Sequence, residues 1–175
     1  ADYHKAIEYG ERLFKIGYEK QDYKFGILYA HIGLGQAYIM LGDSTAINHL
    51  GQAKLLAESE KNDSALCSIY NGMGLYASNI HRDYYSALHY FFEGIEATHR
   101  CQYQELEAIL LGNISSIYYL KDDPTGLTYS LQIYELGHQL NSAYLIFIGA
   151  LNASYMYYLL HEYDKALPYI QEAEF

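Results

Sequence analysis

The chain has 175 residues, a formal net charge of −10 and 51% apolar or aromatic side chains. That length supports roughly one ordinary domain with a core, while the acidic balance withholds the basic surface that non-specific nucleic-acid binding needs. With only two prolines and no run of alternating β-branched residues, the pattern is helical throughout and suits a soluble cytoplasmic protein, or one whose partner is positively charged.

Residues 2–20 read as a lone return helix with Ile7, Leu13, Phe14 and Ile16 on its apolar side. Its partner helix would precede residue 1, so the natural protein is expected to extend N-terminally. Four helical hairpins follow, at 23–61, 64–101, 104–140 and 142–175. In the first, a helix from Phe25 to Met40 meets Gly42, a residue suited to the left-handed stop, and Asp43, placed to cap a second helix from Ser44 to about Glu60. Asp63 or Ser64 is expected to cap the next helix, and His81-Arg82-Asp83 to break the second pair. In the third, Asp123 as N-cap and Pro124 at the first helical position give a helix-start signal. The last forward helix, Ser142 to Leu160, has no formal charge after residue 141. Its interspersed Asn152, Ser154 and tyrosines argue for burial between helices rather than membrane insertion. The return helix opening at Tyr163 is cut by the end of the sequence, which again points to a longer chain.

The small residue near the start of each return helix falls at Ala6, Ala46, Ala87, Gly126 and Ala166, at spacings of 40, 41, 39 and 40. A fixed period of that size, filled by two helices, is the signature of a solenoid rather than of a closed globular core. The whole chain, 1–175, is therefore read as one all-α repeat domain.

Catalytic and cofactor chemistry finds no foothold in this pattern. The eight histidines are scattered without a His-x-x-x-His pair beside a glutamate, and no Cys-x-x-Cys occurs, so no metal is expected. Gly33-x-Gly35 and Gly72-x-Gly74 lie inside helices and recur with the repeat, as packing notches rather than as a nucleotide loop. Cys67 and Cys101, one repeat apart, read as two thiols within helices rather than as a disulfide. No catalytic residue and no cofactor is assigned. The 22 tyrosines fall mostly at packing positions, but adjacent pairs such as Tyr118-Tyr119 and Tyr157-Tyr158 cannot both point inward.

The repeat phrases resemble the tetratricopeptide repeat family. Leu34-Gly35-Gln36-Ala37-Tyr38 with Leu41-Gly42-Asp43 and Ala46 is similar to that family's pattern of Leu-Gly, Tyr, Gly-Asp and Ala. Met73-Gly74, Asp83-Tyr84, Ala87 and Phe91 match in the second copy, with Ala77 where Tyr is usual. The third copy has Ser115, Tyr118 and Gly126, and the fourth Ser154, Tyr157, Glu162-Tyr163, Ala166 and Ala173. The resemblance implies an α-solenoid of helical hairpins forming a right-handed superhelix, whose concave face is lined by forward helices. The candidate ligand residues on that face are Gln36, Asn71, Asn113, Asn152, Tyr119, Tyr155 and Tyr158, with Tyr29, Ile32, Gly33, Leu75, Ser78, Ile109 and Ser116 among them. In related peptide-binding repeats an asparagine before the Leu-Gly pair reads a ligand backbone. Asn113 and Asn152 take that place here, and Asn71 lies one position earlier.

The resemblance implies a protein- or peptide-interaction domain, the sensory or regulatory part of a larger bacterial signalling protein. The alternatives are a homodimerisation module with no ligand of its own, and a regulatory segment fused to an enzyme such as a diguanylate cyclase (GGDEF) or a histidine kinase. No direct nucleic-acid contact and no membrane insertion are expected of this segment.

Overall fold

A computed structural model describes residues 3–19 and 24–173. Among them run nine α-helices and no strand: α1 (Tyr3–Glu19), α2 (Lys24–Met40), α3 (Ala46–Ser59), α4 (Asp63–Asn79), α5 (Tyr84–Cys101), α6 (Gln104–Leu120), α7 (Gly126–Gln139), α8 (Ala143–Leu159) and α9 (Tyr163–Ala173). Residues 1–2, 20–23 and 174–175 lie outside the described residues, and with them parts of the expected first and last return helices and of the expected first polar loop.

Most of these helices stop in the same way. Gly42, Lys61, Arg82, Gln102, Asp122, Asn141 and His161 all have φ between 51° and 71°, about twenty residues apart. In five of these turns the next N–H reaches back five residues to a carbonyl, as from Asp43 to Tyr38 (2.9 Å) and from Glu162 to Tyr157 (2.9 Å), while Asp83 reaches back six to Ala77 (3.0 Å). These are Schellman-type closures, which satisfy carbonyls that a helix end leaves without partners. Only the first uses glycine; each other stop holds a side chain in the left-handed region at a cost of about 1 kcal/mol.

After three of the stops the next residue caps the following helix with its side chain. Asn62 accepts from the Ala65 N–H (3.0 Å), Asp83 from Ser86 (3.1 Å) and Ser142 from Leu145 (3.4 Å). Asn62 therefore caps α4, not Asp63 or Ser64, which are the first helical residues. Asp43 and Asp123 instead accept from the N–H two residues on, in Thr45 (2.8 Å) and Thr125 (2.9 Å). A single tight turn then precedes α3 and α7, closed by Ala46 N–H to Asp43 and Gly126 N–H to Asp123. Pro124 consequently sits in that turn rather than at the first helical position.

Helix pairs close on small residues. Of the expected row, Ala46, Ala87, Gly126 and Ala166 are buried, whereas Ala6 is exposed. Gly17, Ala57, Ala97 and Gly137 form a second buried row at intervals of forty that the repeat phrases did not single out. A Cβ on Gly17 would fall 2.6 Å from Ile27, and one on Gly137 the same distance from the Ile146 backbone nitrogen. On the other hairpin contact, Gly35 faces Leu50 and Gly74 faces Phe91. In the third copy Ser115 replaces the glycine, and its hydroxyl meets Ser130, forty on from the position before Phe91, at 2.9 Å instead of meeting a large apolar group. Both serines are fully buried, and Ser130 donates on to the Gly126 carbonyl (2.9 Å), so the polar exchange leaves nothing unsatisfied.

The helices group into two compact units, 1–102 and 103–175. In the first, each helix packs on its chain neighbour and α2 also touches α4; in the second, α6 to α9 do the same and α6 also touches α8. Forward helices α2 and α4 are thereby buried on several sides, which is why their apolar residues surround the axis rather than forming one stripe. No helix of the described residues is long and apolar enough to cross a membrane.

Candidate functional site

Each unit carries a groove on its forward helices. In unit 1 a groove of about 480 Å³ is lined by Gly33, Gln36, Met40, Asn71 and Leu75, with Tyr3 and Ala6 of α1 at its side. In unit 2 a groove of about 510 Å³ is lined by Ser116, Tyr119, Leu151, Asn152, Tyr155 and Tyr158, with Ser154 and Ile170. Both volumes are of the size that holds a few side chains of a ligand.

Six of the seven sequence candidates line these grooves: Gln36 and Asn71 the first, Tyr119, Asn152, Tyr155 and Tyr158 the second. Asn113 is half-buried on α6 and is absent from the second groove's lining. Ile32 turns inward, with only 5% of its surface exposed, so it is a core residue and not part of an open wall. The adjacent tyrosines 118 and 119 point one inward and one outward. The Tyr118 ring stacks on Tyr129 inside the hairpin (5.5 Å between centroids, 10° between planes), while Tyr119 faces the groove.

The second groove is built around α8. Asn152 donates an amide hydrogen to Ser115 Oγ (3.3 Å), which ties it to the buried serine pair and fixes its rotamer. Tyr155 packs on Tyr119 (centroids 4.4 Å) and runs nearly parallel to Tyr158 at 6.2 Å. Its hydroxyl donates to Asp122 Oδ1 (2.7 Å), and that bond, made by the neutral phenol, pushes the Tyr155 pKa up to about 12. Asp122 is also the left-handed stop of α6, so the turn geometry sets where this carboxylate stands. Unit 2 carries nine Asp and Glu residues against only Lys121 and Lys165. An aromatic wall beside a carboxylate in an acidic unit suits a cationic or amphipathic side chain.

No family model matches the chain, and no curated protein is significantly similar to it.

One constellation escaped sequence reasoning. His31 and His49, eighteen residues apart, meet across the first hairpin with Nδ1 to Nδ1 at 3.0 Å. Phe14 of α1 sets its ring edge on His31 (4.8 Å), and Tyr38 stacks on His49 at 5.5 Å and 12°. That stack has nearly the geometry of Tyr118–Tyr129, with both partners eighty residues on, so the repeat relates the Tyr38–His49 contact but not His31–His49, since Leu111 stands eighty on from His31. No group of three metal-ligating side chains occurs among the described residues.

Burial pushes both histidines below the ordinary 6.5; His49's charge adds to the effect on His31, while Glu11 partly offsets it on His49. The facing nitrogens can share one proton donor, but two imidazoliums would present like charges and two N–H groups to each other. The unfolded chain therefore binds these protons more readily than the folded one. Stability from the pair is complete above pH 6.5 and falls as pH drops below it, toward and through the depressed folded values. The urea midpoint is expected to decline from about pH 7.5 to about 5.5, and His49→Gln to flatten that decline. An identical slope in the variant would remove the pair as its cause.

Proposed function

We propose that the chain is an α-solenoid of tetratricopeptide-like hairpins that binds a protein or peptide segment along its forward helices, as the regulatory part of a larger signalling protein. The observation that carries this reading is the convergence of Asn152, Tyr119, Tyr155 and Tyr158 on one groove beside Asp122. The recurring left-handed stops and the two small-residue rows support the solenoid. Asn152 gives one amide hydrogen to Ser115, which leaves its carbonyl oxygen and second hydrogen to read a peptide backbone. The tyrosine faces offer area at little entropic cost, and the acidic unit favours ligands with lysine or arginine.

The test is an array of unstructured peptides, basic and acidic, followed by titration calorimetry of the strongest binder. Basic peptides are expected to dominate. Tyr158→Ala should weaken the chosen peptide about tenfold or more, as loss of an exposed aromatic anchor does. Its thermal midpoint should barely move, because 58% of the Tyr158 surface is already exposed. Asn152→Ala is less clean, since it also releases Ser115. No binding by any peptide, or a Tyr158→Ala affinity equal to wild type, would defeat the proposal.

A second reading has its own observation. Tyr163, Leu167 and Ile170 form an exposed apolar stripe on α9, each more than 40% open. Such a stripe suits a second copy of the chain. Sedimentation of a dimer that Leu167→Asp converts to monomer, with no peptide bound, would favour homodimerisation over recognition.

A further inference from the structure

We propose that Cys67 and Cys101 form an oxidation-responsive dithiol, in which a peroxide reaching Cys101 closes a disulfide across the α4–α5 hairpin. The two sulfurs are 3.5 Å apart although 34 residues separate them in sequence, and both are free thiols. They are not equivalent. Cys67 is fully buried on α4 and donates to the Asp63 carbonyl (3.0 Å), whereas Cys101 is half-buried in the last turn of α5. Cys101 also lines a groove of about 510 Å³ that Lys24, Leu56, Asn62 and Ser64 border, so a small solute arrives at Cys101 first.

The roles follow from access and burial. Burial and the contact with Cys101 push the Cys67 thiol up to about 12, so Cys67 is a poor first nucleophile. Cys101, deprotonated, attacks one oxygen of hydrogen peroxide; the O–O bond breaks, hydroxide leaves and takes up a proton, and Cys101 becomes a sulfenic acid. The Cys67 sulfur, already in van der Waals contact, then attacks the Cys101 sulfur. The S–O bond breaks and the departing hydroxide accepts the Cys67 proton. Two thiols and one peroxide thus give one disulfide and two waters, and the peroxide is the only oxidant required. The closed bridge would tie α4 to α5 beside Asn62, the residue that caps α4.

Titration of the whole chain with hydrogen peroxide, followed by intact mass and peptide mapping, tests this. The expected result is loss of two hydrogens per chain, a Cys67–Cys101 peptide, no chain-to-chain crosslink, and reversal by a thiol reductant. Closing a loop of this length should raise the thermal midpoint by roughly 5 °C or more. In Cys67→Ala, a dimedone adduct should accumulate on Cys101; in Cys101→Ala, Cys67 should stay unmodified under the same exposure. Crosslinked dimers, over-oxidation of Cys101 without a bridge in the wild type, or equal labelling of Cys67 in Cys101→Ala would each overturn the proposal.

Discussion

Replacing Phe91 with alanine is expected to destabilise unit 1 by about 3–5 kcal/mol, the range for deleting a buried aromatic ring. Phe91 is 1% exposed, and its ring lies on Gly74 of the facing helix, where a Cβ would come within 2.3 Å of the ring carbon Cε1. Residue 74 has no side chain that could move into the hole left there. The same geometry makes Gly74→Ala reverse sign with background. In the wild-type chain the added methyl overpacks the contact and should cost about 1–3 kcal/mol. In the Phe91→Ala background the obstruction is gone, and the methyl should gain about 1 kcal/mol from helix propensity and from partly filling the void. Urea midpoints of the four chains of this cycle measure the coupling directly. If Gly74→Ala costs the same in both backgrounds, the ring does not rest on the glycine.

The Gly74–Phe91 pair was legible in outline, and the reason shows what sequence can carry. Small residues at a period near forty mark places where two helices approach, because no larger residue fits there; that signal needs only one copy of the chain. The helix breaks were read almost to the residue for the same reason, since polar caps interrupt apolar periodicity. The left-handed stops were not. Apart from Gly42 they are Lys61, Arg82 and Gln102, which have no preference for that region, and Asp122, Asn141 and His161, whose types enter it more readily but are common elsewhere too. Closure of the Schellman bonds imposes the conformation from outside. The histidine and cysteine pairs escaped for a related reason. Each partner looks ordinary on its own helix, and only the pairing of positions across a turn brings His31 to His49 and Cys67 to Cys101. Among the site residues, the tyrosine wall could be inferred from adjacent aromatics that cannot share one face. That Asn152 is anchored on Ser115 could not be inferred, because the exchange of glycine for serine at 115 reads as a departure until its partner at 130 is placed opposite.

Gly149→Ala is expected to cost about 2–3 kcal/mol and to disturb the groove of unit 2 as well. An ideal Cβ at 149 would stand 2.5 Å from the Tyr134 nitrogen and 2.6 Å from its Cα, both backbone atoms of α7. A flexible side chain could yield to a methyl, but a helix backbone yields only by moving the helix, and the same crossing is equally close from the other side, where a Cβ on Gly137 would stand 2.6 Å from the Ile146 nitrogen. The strain should therefore exceed the gain of about 1 kcal/mol that alanine brings to a helix interior. Gly112→Ala supplies the contrast: nothing lies within 4 Å of its Cβ position, so there the propensity gain should appear as stabilisation. The two glycines sit in neighbouring forward helices, and opposite signs of their midpoint shifts would show that helix approach, not glycine content, sets the cost. For the proposed peptide site the consequence runs through α8, which carries Asn152, Tyr155 and Tyr158 within nine residues of Gly149. Pushing α8 away from α7 strains the Tyr155–Asp122 hydrogen bond and the Asn152–Ser115 anchor together. Peptide affinity should fall with stability in Gly149→Ala, whereas in Tyr158→Ala affinity falls alone. A Gly149→Ala chain that kept wild-type stability would show that α7 and α8 do not meet backbone to backbone at this crossing.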